Sequence, residues 1–253
     1  MLRALWVWPI AIVSGLLYGA AAALIGARDH ADRIQRGWCR LISRLCGARV
    51  VLDGTERLPA GNHFVVVSNH ESAIDPAVLI AELPRRLRFL AKRAIFQLPI
   101  FGWGMARIGH VAVNRTDKTK AATALSQAVR AVRDQDAALF FFPEGTRSTD
   151  GSLLPFKWGA VQAALENGAP IVPVGIAGTR EVLPKHAWSP RPGPVALSIG
   201  APIETAGYTR ATRDALMARV REAVDAQRGR ARALLKQESR ERPGATGQEA
   251  SSP

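Results

Sequence analysis

The sequence has few cysteines, few aromatic residues and a shortage of acidic residues. Its two cysteines, Cys39 and Cys46, lack the spacing of a zinc site, and we expect two reduced thiols on one helix rather than a disulfide. Aromatic residues make up 6% of the chain and no nucleic-acid-binding motif is present, which argues against a nucleic-acid-binding function. With 34 Lys and Arg against 21 Asp and Glu, the formal net charge is +13, which favours an anionic partner such as a membrane surface, an acidic substrate or an acidic protein.

An internal nucleophile is also missing. The chain contains no G-x-S-x-G sequence, which forms the serine turn of many hydrolases. Neither cysteine lies near a histidine in a convincing turn. We therefore expect the nucleophile of any reaction to come from outside the protein, as a substrate hydroxyl or as water.

A long apolar segment near the start is the first positive feature. Residues 5–26 carry no charge, and as a helix they would reach roughly 33 Å, about the thickness of a bilayer's hydrocarbon core. A cleaved signal peptide is the alternative. Arg3 is the only basic residue before the segment, whereas six arginines follow it by residue 49. This asymmetry favours a retained anchor with the body of the protein on the cytoplasmic side of the cell inner or plasma membrane.

The rest of the chain predicts an α/β fold. Residues 31–46 form a basic amphipathic helix, lying either in the lipid headgroup region or against the domain. Beyond it, apolar runs at 64–68, 87–91, 110–113, 137–142, 171–177 and 195–199 predict strands, and the periodic segments 77–83, 119–134, 156–167 and 211–227 predict helices. This alternation predicts a mostly parallel sheet covered by helices. We expect an N-terminal membrane region over 1–49, an α/β domain over 50–236 and a disordered tail over 237–253.

The first candidate site is SNHESAIDP, residues 68–76, which follows the strand predicted at 64–68. His70 and Asp75 are five residues apart and can meet only if a helix begins between them. Ser72 could be the N-cap with Asp75 at the third helical position, or Asp75 could be the N-cap followed by Pro76. An aspartate within hydrogen-bonding distance would orient the imidazole as a general base. The alternative is a capped turn with an incidental histidine.

The second candidate site is FFPEGTRS, residues 141–148, which follows the most apolar strand. A glycine turn at a strand end directs backbone N–H groups towards an anion, and Arg147 can bind phosphate through two hydrogen bonds. Arg115 ends another predicted strand, and Lys157 follows the second motif. Because sites collect at the carboxyl ends of parallel strands, these side chains predict one basic pocket.

The two motifs resemble those of the glycerolipid acyltransferase family. NHESAIDP resembles its NHx4D motif and FPEGTRS its second block, and the weaker blocks are VNR at 113–115 and IVPVGIAG at 171–178. The resemblance covers residues 50–205 and is strongest to 1-acyl-sn-glycerol-3-phosphate acyltransferases. It implies an α/β domain on the membrane that transfers an acyl chain from acyl-CoA or acyl-acyl carrier protein to a lysophospholipid, with no metal or cofactor.

The resemblance also implies residue roles. His70 would be the general base and Asp75 its partner. The residues that would bind the glycerol phosphate are Arg115, Glu144, Gly145, Thr146 and Arg147, with Lys157 as a looser match. The cluster Arg85, Arg86, Arg88, Lys92 and Arg93 is either a carrier-protein docking patch or an ordinary charged rim, with the rim favoured. Another acyl acceptor, such as glycerol 3-phosphate, and hydrolysis by water are the alternative activities.

Overall fold

The computed structural model describes residues 2–24, 28–113 and 118–241. The helices are α1 (Leu2–Leu24), α2 (Arg28–Cys46), α3 (Asp75–Glu82), α4 (Arg93–Phe96), α5 (Phe101–Ile108), α6 (Lys118–Arg133), α7 (Gly159–Asn167), α8 (Thr179–Val182) and α9 (Arg213–Glu241). The strands are β1 (Ala48–Asp53), β2 (Val65–Ser68), β3 (Leu87–Lys92), β4 (Val111–Val113), β5 (Ala138–Phe141), β6 (Ile171–Ala177) and β7 (Gly193–Ile199).

These strands form one sheet in the order β1-β7-β6-β2-β5-β3-β4. Neighbouring strands run parallel, apart from the antiparallel pair β6 and β7. The prediction of a mostly parallel, helix-covered sheet is therefore confirmed. In the centre, Val67 of β2 pairs with Phe141 of β5, so the two strands end side by side. This register places the two sequence motifs at one edge of the sheet.

The core lies on both faces of the sheet because successive side chains of a strand point in opposite directions. Val66 of β2 faces α2 and α3, where it packs in a cluster that includes Cys39 and Leu79. Val65 and Val67 face the other way and pack against apolar residues of α7 and α9. The uninterrupted apolar run at 64–67 therefore reflects a strand buried on both faces.

The two N-terminal helices pack on each other and on the domain. The rings of Tyr18 in α1 and Trp38 in α2 stack with centroids 5.0 Å apart. Gly19 of α1 allows α5 to approach so closely that a Cβ there would lie 2.6 Å from the Ile100 carbonyl oxygen. Both cysteines of α2 are free and buried. The predicted packing of the amphipathic helix against the domain is therefore observed, and its place in the headgroup region stays a prediction.

Element boundaries differ from the sequence-based prediction at the start of α7 and at the end of α9. The helix predicted to start at 156 begins at Gly159, and the Lys157 amide just before it donates to the Pro143 carbonyl, 2.7 Å away. The helix predicted over 211–227 continues to Glu241, so the expected tail boundary at 237 is wrong for residues 237–241. Leu234 and Leu235 extend the apolar face of this helix onto the sheet. Residues 242–253 of the predicted tail lie outside the described residues.

Candidate active site

The turn after β2 is attached to the neighbouring strand by Asn69. Its side-chain oxygen accepts a hydrogen bond from the Ile176 amide at 2.8 Å, and its amide nitrogen donates to the Ile176 carbonyl at 3.0 Å. Asn69 is buried, so these bonds are shielded from water. The side chain thus continues the pairing of β2 with β6 beyond the strand end and determines where the next residue, His70, begins its turn.

His70 and Asp75 are in direct contact. His70 Nδ1 lies 2.8 Å from Asp75 Oδ2, and Asp75 is fully buried. The same oxygen accepts the backbone N–H groups of Glu71 at 2.8 Å and Ser72 at 2.9 Å. Because an ionised carboxylate oxygen only accepts hydrogen bonds, Nδ1 carries the proton and Nε2 is left with its lone pair. This is the arrangement of a general base with an orienting carboxylate.

Both N-cap predictions are wrong, because Ile74 is the N-cap residue of α3. The Ser72 amide donates to Asp75, as in a capping box, but the Ser72 hydroxyl donates to the Leu183 carbonyl at 2.7 Å instead of capping α3. α3 has no side-chain cap, and Pro76 occupies its first turn. The carboxylate of Asp75 therefore stabilises the turn that holds His70.

Glu144 of the second motif joins the two turns. Its Oε1 accepts the His70 backbone N–H at 2.7 Å, and its Oε2 accepts the Leu154 N–H at 2.8 Å. The Ser148 amide donates to the His70 carbonyl at 2.9 Å, so His70 is held on both sides of its peptide. Glu144 is 4% exposed, and burial raises its pKa. These contacts favour a positioning role over the implied role of a phosphate ligand, because both carboxylate oxygens are engaged and a phosphate would repel them.

In the glycine turn of the second motif, the Lys157 side chain packs against Gly145. Gly145 has φ +71°, in the left-handed region, and a Cβ there would lie 2.7 Å from Lys157 Nζ. Arg147 is half-buried, and its carbonyl accepts a hydrogen bond from Lys185 Nζ at 3.0 Å. Thr146 is exposed in the same turn. Arg115 lies outside the described residues, so its predicted place in the pocket stays a prediction.

A cavity of about 330 Å³ opens beside His70. The His70 ring stacks on Phe142, with centroids 4.1 Å apart and planes 13° from parallel. Other lining residues are Phe89, Leu90, Leu125, Phe140, Phe141, Pro143, Gly145, Lys157, Gly159 and Ala160. The cavity thus has a mostly aromatic and aliphatic wall, with the base at one point and the Gly145 turn and Lys157 at another. Such a site suits a ligand with an apolar chain and an anionic group.

Glu71 is a third buried carboxylate, and the sequence analysis missed it. It is 4% exposed, its Oε1 accepts from Asn69 Nδ2 at 3.2 Å, and Arg232 of α9 lies 3.8 Å away. Burial, and then the neighbouring charge of Asp75, raise the pKa of Glu71 to about 7. Its place beside His70 was visible in the sequence, but its burial and its approach to Arg232 of α9 were not.

Two members of the basic cluster at 85–93 form internal hydrogen bonds and ion pairs, and the docking role of the other members stays a prediction. Arg88 is 1% exposed and binds Asp32 of α2 through two hydrogen bonds, at 2.6 and 3.1 Å. Arg85 donates from both its Nε and its Nη2 to the Pro59 carbonyl. These two side chains attach α2 and the segment before β2 to the start of β3. Charge clustering in the sequence did not distinguish such internal ion pairs from a free surface.

Comparison with known proteins agrees with the site. The family model described as Acyltransferase matches residues 49–177. The chain belongs to this acyltransferase family, which implies an acyl donor and an acyl acceptor. The matched range contains both motifs and ends with β6.

Individual relatives are consistent with the family. The chain is 36% identical over 161 residues to a chloroplastic 1-acyl-sn-glycerol-3-phosphate acyltransferase of Brassica napus, covering 60% of this chain and 46% of the relative. It is 32% identical over 183 residues to the human 1-acyl-sn-glycerol-3-phosphate acyltransferase alpha, covering 72% and 65%. The chain therefore spans about half to two thirds of the length of these relatives.

A solved structure shares the fold over nearly the whole chain. It is the crystal structure of PlsC from Thermotoga maritima, described as a 1-acyl-sn-glycerophosphate (LPA) acyltransferase. The TM-score is 0.74 at 27% identity, and the match covers 89% of this chain and 94% of that one. The similarity therefore extends beyond the two motifs to the arrangement of helices and strands.

Proposed function

We propose that this protein transfers an acyl chain from an acyl thioester to the free hydroxyl of 1-acylglycerol 3-phosphate, giving phosphatidic acid. The observation that carries the proposal is the oriented His70–Asp75 pair at the edge of a mostly apolar cavity that Lys157 also lines. The relatives and the solved structure, which are named for this acceptor, support the same choice. The product would enter phospholipid synthesis.

The proposed reaction has one general base. Nε2 of His70 removes the proton from the acceptor hydroxyl as its oxygen attacks the thioester carbonyl carbon. The carbon–sulfur bond then breaks, and the thiolate of the donor takes up the proton from His70. Asp75 keeps the imidazole in the productive tautomer and stabilises the imidazolium. The thioester already activates the acyl group, so the reaction requires no metal or cofactor.

Binding of the substrates is assigned to the surrounding residues. We propose that Arg115, Arg147 and Lys157 bind the glycerol phosphate, with Gly145 and Thr146 shaping the turn beneath it. Glu144 positions this turn relative to His70. The phenylalanine rings of the cavity suit the acyl chain. The donor is acyl-CoA or acyl-acyl carrier protein, both of which are acidic and match the basic excess of the chain.

A membrane location on the cytoplasmic face of the inner or plasma membrane is part of the proposal. Residues Arg3–Ala22 of α1 have the length and apolar composition of a membrane helix. One side of α1 packs on α2 and α5, and the other exposes apolar side chains: Leu5, Trp6, Ile10, Ile12, Val13, Leu16, Leu17 and Leu24. We propose that this exposed side lies in the membrane surface, where the lipid acceptor is found.

The direct test is a transfer assay with purified protein, an acyl thioester and a panel of acceptors that includes lysophosphatidate and glycerol 3-phosphate. We expect transfer to lysophosphatidate, and a near-complete loss of turnover in His70→Ala with the thermal unfolding midpoint retained. Asp75→Asn should lower kcat by about three to four orders of magnitude, because the amide no longer maintains the productive tautomer.

Three results would contradict the proposal in whole or in part. Retained turnover in His70→Ala would remove the general base. Acyl release at a comparable rate without any acceptor would identify a hydrolase that uses water. Transfer to glycerol 3-phosphate in preference to lysophosphatidate would replace the acceptor while leaving the chemistry intact.

A further inference from the structure

Three arginines of α9 donate hydrogen bonds to one short segment after the second motif, residues 151–154. Arg221 donates to the carbonyls of both Leu153 and Leu154. Arg228 and Arg232 donate to the Gly151 carbonyl at 2.9 and 2.8 Å. The spacings of seven and four residues place these side chains, here called the α9 arginine row, on one face of the helix.

The 151–154 segment is bonded at both ends to residues that hold His70. At one end, the Leu154 amide donates to Glu144, whose other oxygen accepts the His70 N–H. At the other end, the Gly151 amide donates to Ser148 Oγ at 3.0 Å, and the Ser148 amide donates to the His70 carbonyl. The α9 arginine row is therefore connected to the peptide of His70 by two short routes.

Arg232 reaches the first motif as well. Its guanidinium lies 3.8 Å from Glu71 Oε1, and the backbone N–H of Glu71 donates to Asp75 Oδ2. Arg232 thus contacts a residue of each motif turn, Glu71 of the first and Gly151 of the second motif's continuation. A guanidinium suits this position because its donors are fixed in a plane and can serve two acceptors at once.

The approach of α9 depends on Gly175 of β6. A Cβ at this position would lie 2.1 Å from the Gln227 carbonyl carbon and 2.2 Å from the Arg228 nitrogen. The bare backbone of Gly175 therefore lets α9 lie directly on the sheet. At this distance the arginine row reaches the 151–154 segment. Gly175, the first glycine of the IVPVGIAG block, thus supports the site without touching it.

We propose that Arg221, Arg228 and Arg232 are positioning residues of the acyl-transfer reaction, which hold the 151–154 segment and through it the backbone of His70. The inference rests on the proposed function, because it concerns the geometry of the same base. The three side chains touch no reacting atom. Their effect is on the placement of His70 relative to the acceptor hydroxyl, to which rate is sensitive over distances near 1 Å.

The test compares Arg221→Gln, and the double variant Arg228→Gln/Arg232→Gln, with Arg230→Gln in the full chain. Arg230 is the matched control, because it lies on the same helix and donates to Asp53 at 2.6 and 3.0 Å, away from the motif turns. We expect kcat with lysophosphatidate to fall roughly tenfold or more in the two row variants while KM changes by less than about twofold. Arg230→Gln should keep the wild-type kcat, and Arg221→Lys should recover part of it, since one donor remains.

Amide hydrogen exchange gives a readout that is independent of activity. The His70 and Leu154 amides should exchange faster in Arg221→Gln than in the wild type, and at the wild-type rate in Arg230→Gln. Wild-type kcat in both row variants, or an equal loss in Arg230→Gln, would overturn the positioning role. If the wild type transfers no acyl group to lysophosphatidate, the proposed function fails, and amide exchange alone then decides whether the arginine row positions His70.

Discussion

Two carboxylates lie within five residues of His70, and they differ in the number of hydrogen bonds that they accept. Asp75 is fully buried, but its Oδ2 accepts three hydrogen bonds, from His70 and from two backbone amides, which stabilise its charge. Glu71 is also buried and has only Asn69 Nδ2 at 3.2 Å and the more distant Arg232 as compensation. Its pKa is raised for this reason to about 7. At the scale of single residues, burial with little compensation raises the pKa of Glu71 beside the base.

The raised pKa of Glu71 makes folding stability depend on pH. Between its ordinary pKa of 4.5 and about 7, the folded state binds more protons than the unfolded chain, so stability falls as pH rises through this window. We expect Glu71→Gln, which cannot ionise, to lose less stability than the wild type between pH 5 and pH 8. Thermal unfolding of both proteins across this range measures the difference. Glu56→Gln is the control, since Glu56 is exposed, and a parallel course of Glu71→Gln and wild type would refute the prediction.

At the scale of elements, α9 contributes more than a cover for the sheet. Its apolar side packs on β2 and β6 through Leu216, Val220 and Val224, while its arginine row reaches the 151–154 segment. Both functions require the short distance between α9 and β6 that Gly175 allows. A helix that was only a cover could shift outward to accommodate a side chain. Here an outward shift would also break the hydrogen bonds of the arginine row.

Two glycine substitutions test how closely α9 must pack on β6. Gly175→Ala should lower the free energy of unfolding by about 1–3 kcal/mol, because the new methyl group overlaps the α9 backbone. Gly229→Ala should raise it by about 0.5–1 kcal/mol, because Gly229 lies within α9 with open space around its Cα and alanine favours the helix. Urea unfolding measures both values. A neutral Gly175→Ala would show that the close approach of α9 to β6 is unimportant.

At the scale of the whole molecule, exposed apolar side chains lie on α1 and beside both of its ends. Trp103 of α5 is 64% exposed, on the helix that packs against Gly19 in the second half of α1. Trp188, in the loop after α8, is 79% exposed, and its carbonyl accepts a hydrogen bond from Trp8 near the start of α1. Tryptophan favours the membrane–water boundary. Together with the net charge of +13, this arrangement favours a surface that binds anionic lipid.

The proposed lipid-binding surface of the protein can be tested by vesicle binding. Trp103→Ser/Trp188→Ser should bind vesicles containing anionic lipid about tenfold or more weakly than the wild type, because two large apolar side chains no longer leave water. Co-sedimentation with vesicles measures the change. Added salt should also weaken vesicle binding by the wild type, since salt screens the attraction between the basic protein and the anionic lipid. Activity in detergent micelles should be unchanged and serves as the control for folding; unaltered vesicle binding would disprove the role of both tryptophans.

Much of the site was predictable because it depends on short segments. Each motif follows an apolar strand, and parallel strands bring their carboxyl ends to one edge, so His70 and the Gly145 turn could be placed together from the sequence. The contact of His70 with Asp75 was also predictable, because the two residues are only five positions apart. The role of Glu144 was not predictable, since its carboxylate binds an amide 74 residues away. A glutamate in a polar turn looks the same in the sequence whether it faces a ligand or another turn.

The sequence by itself determined the strand–helix alternation, the apolar start and the two motifs that carry the chemistry, because these are properties of neighbouring residues. Only the tertiary structure decided which charges are internal. Arg88 is paired with Asp32, Glu71 is buried, and the arginine row donates to the segment that follows the second motif. The physical reason is that burial and partner determine what a charged side chain does, and both are supplied by elements far apart in the chain.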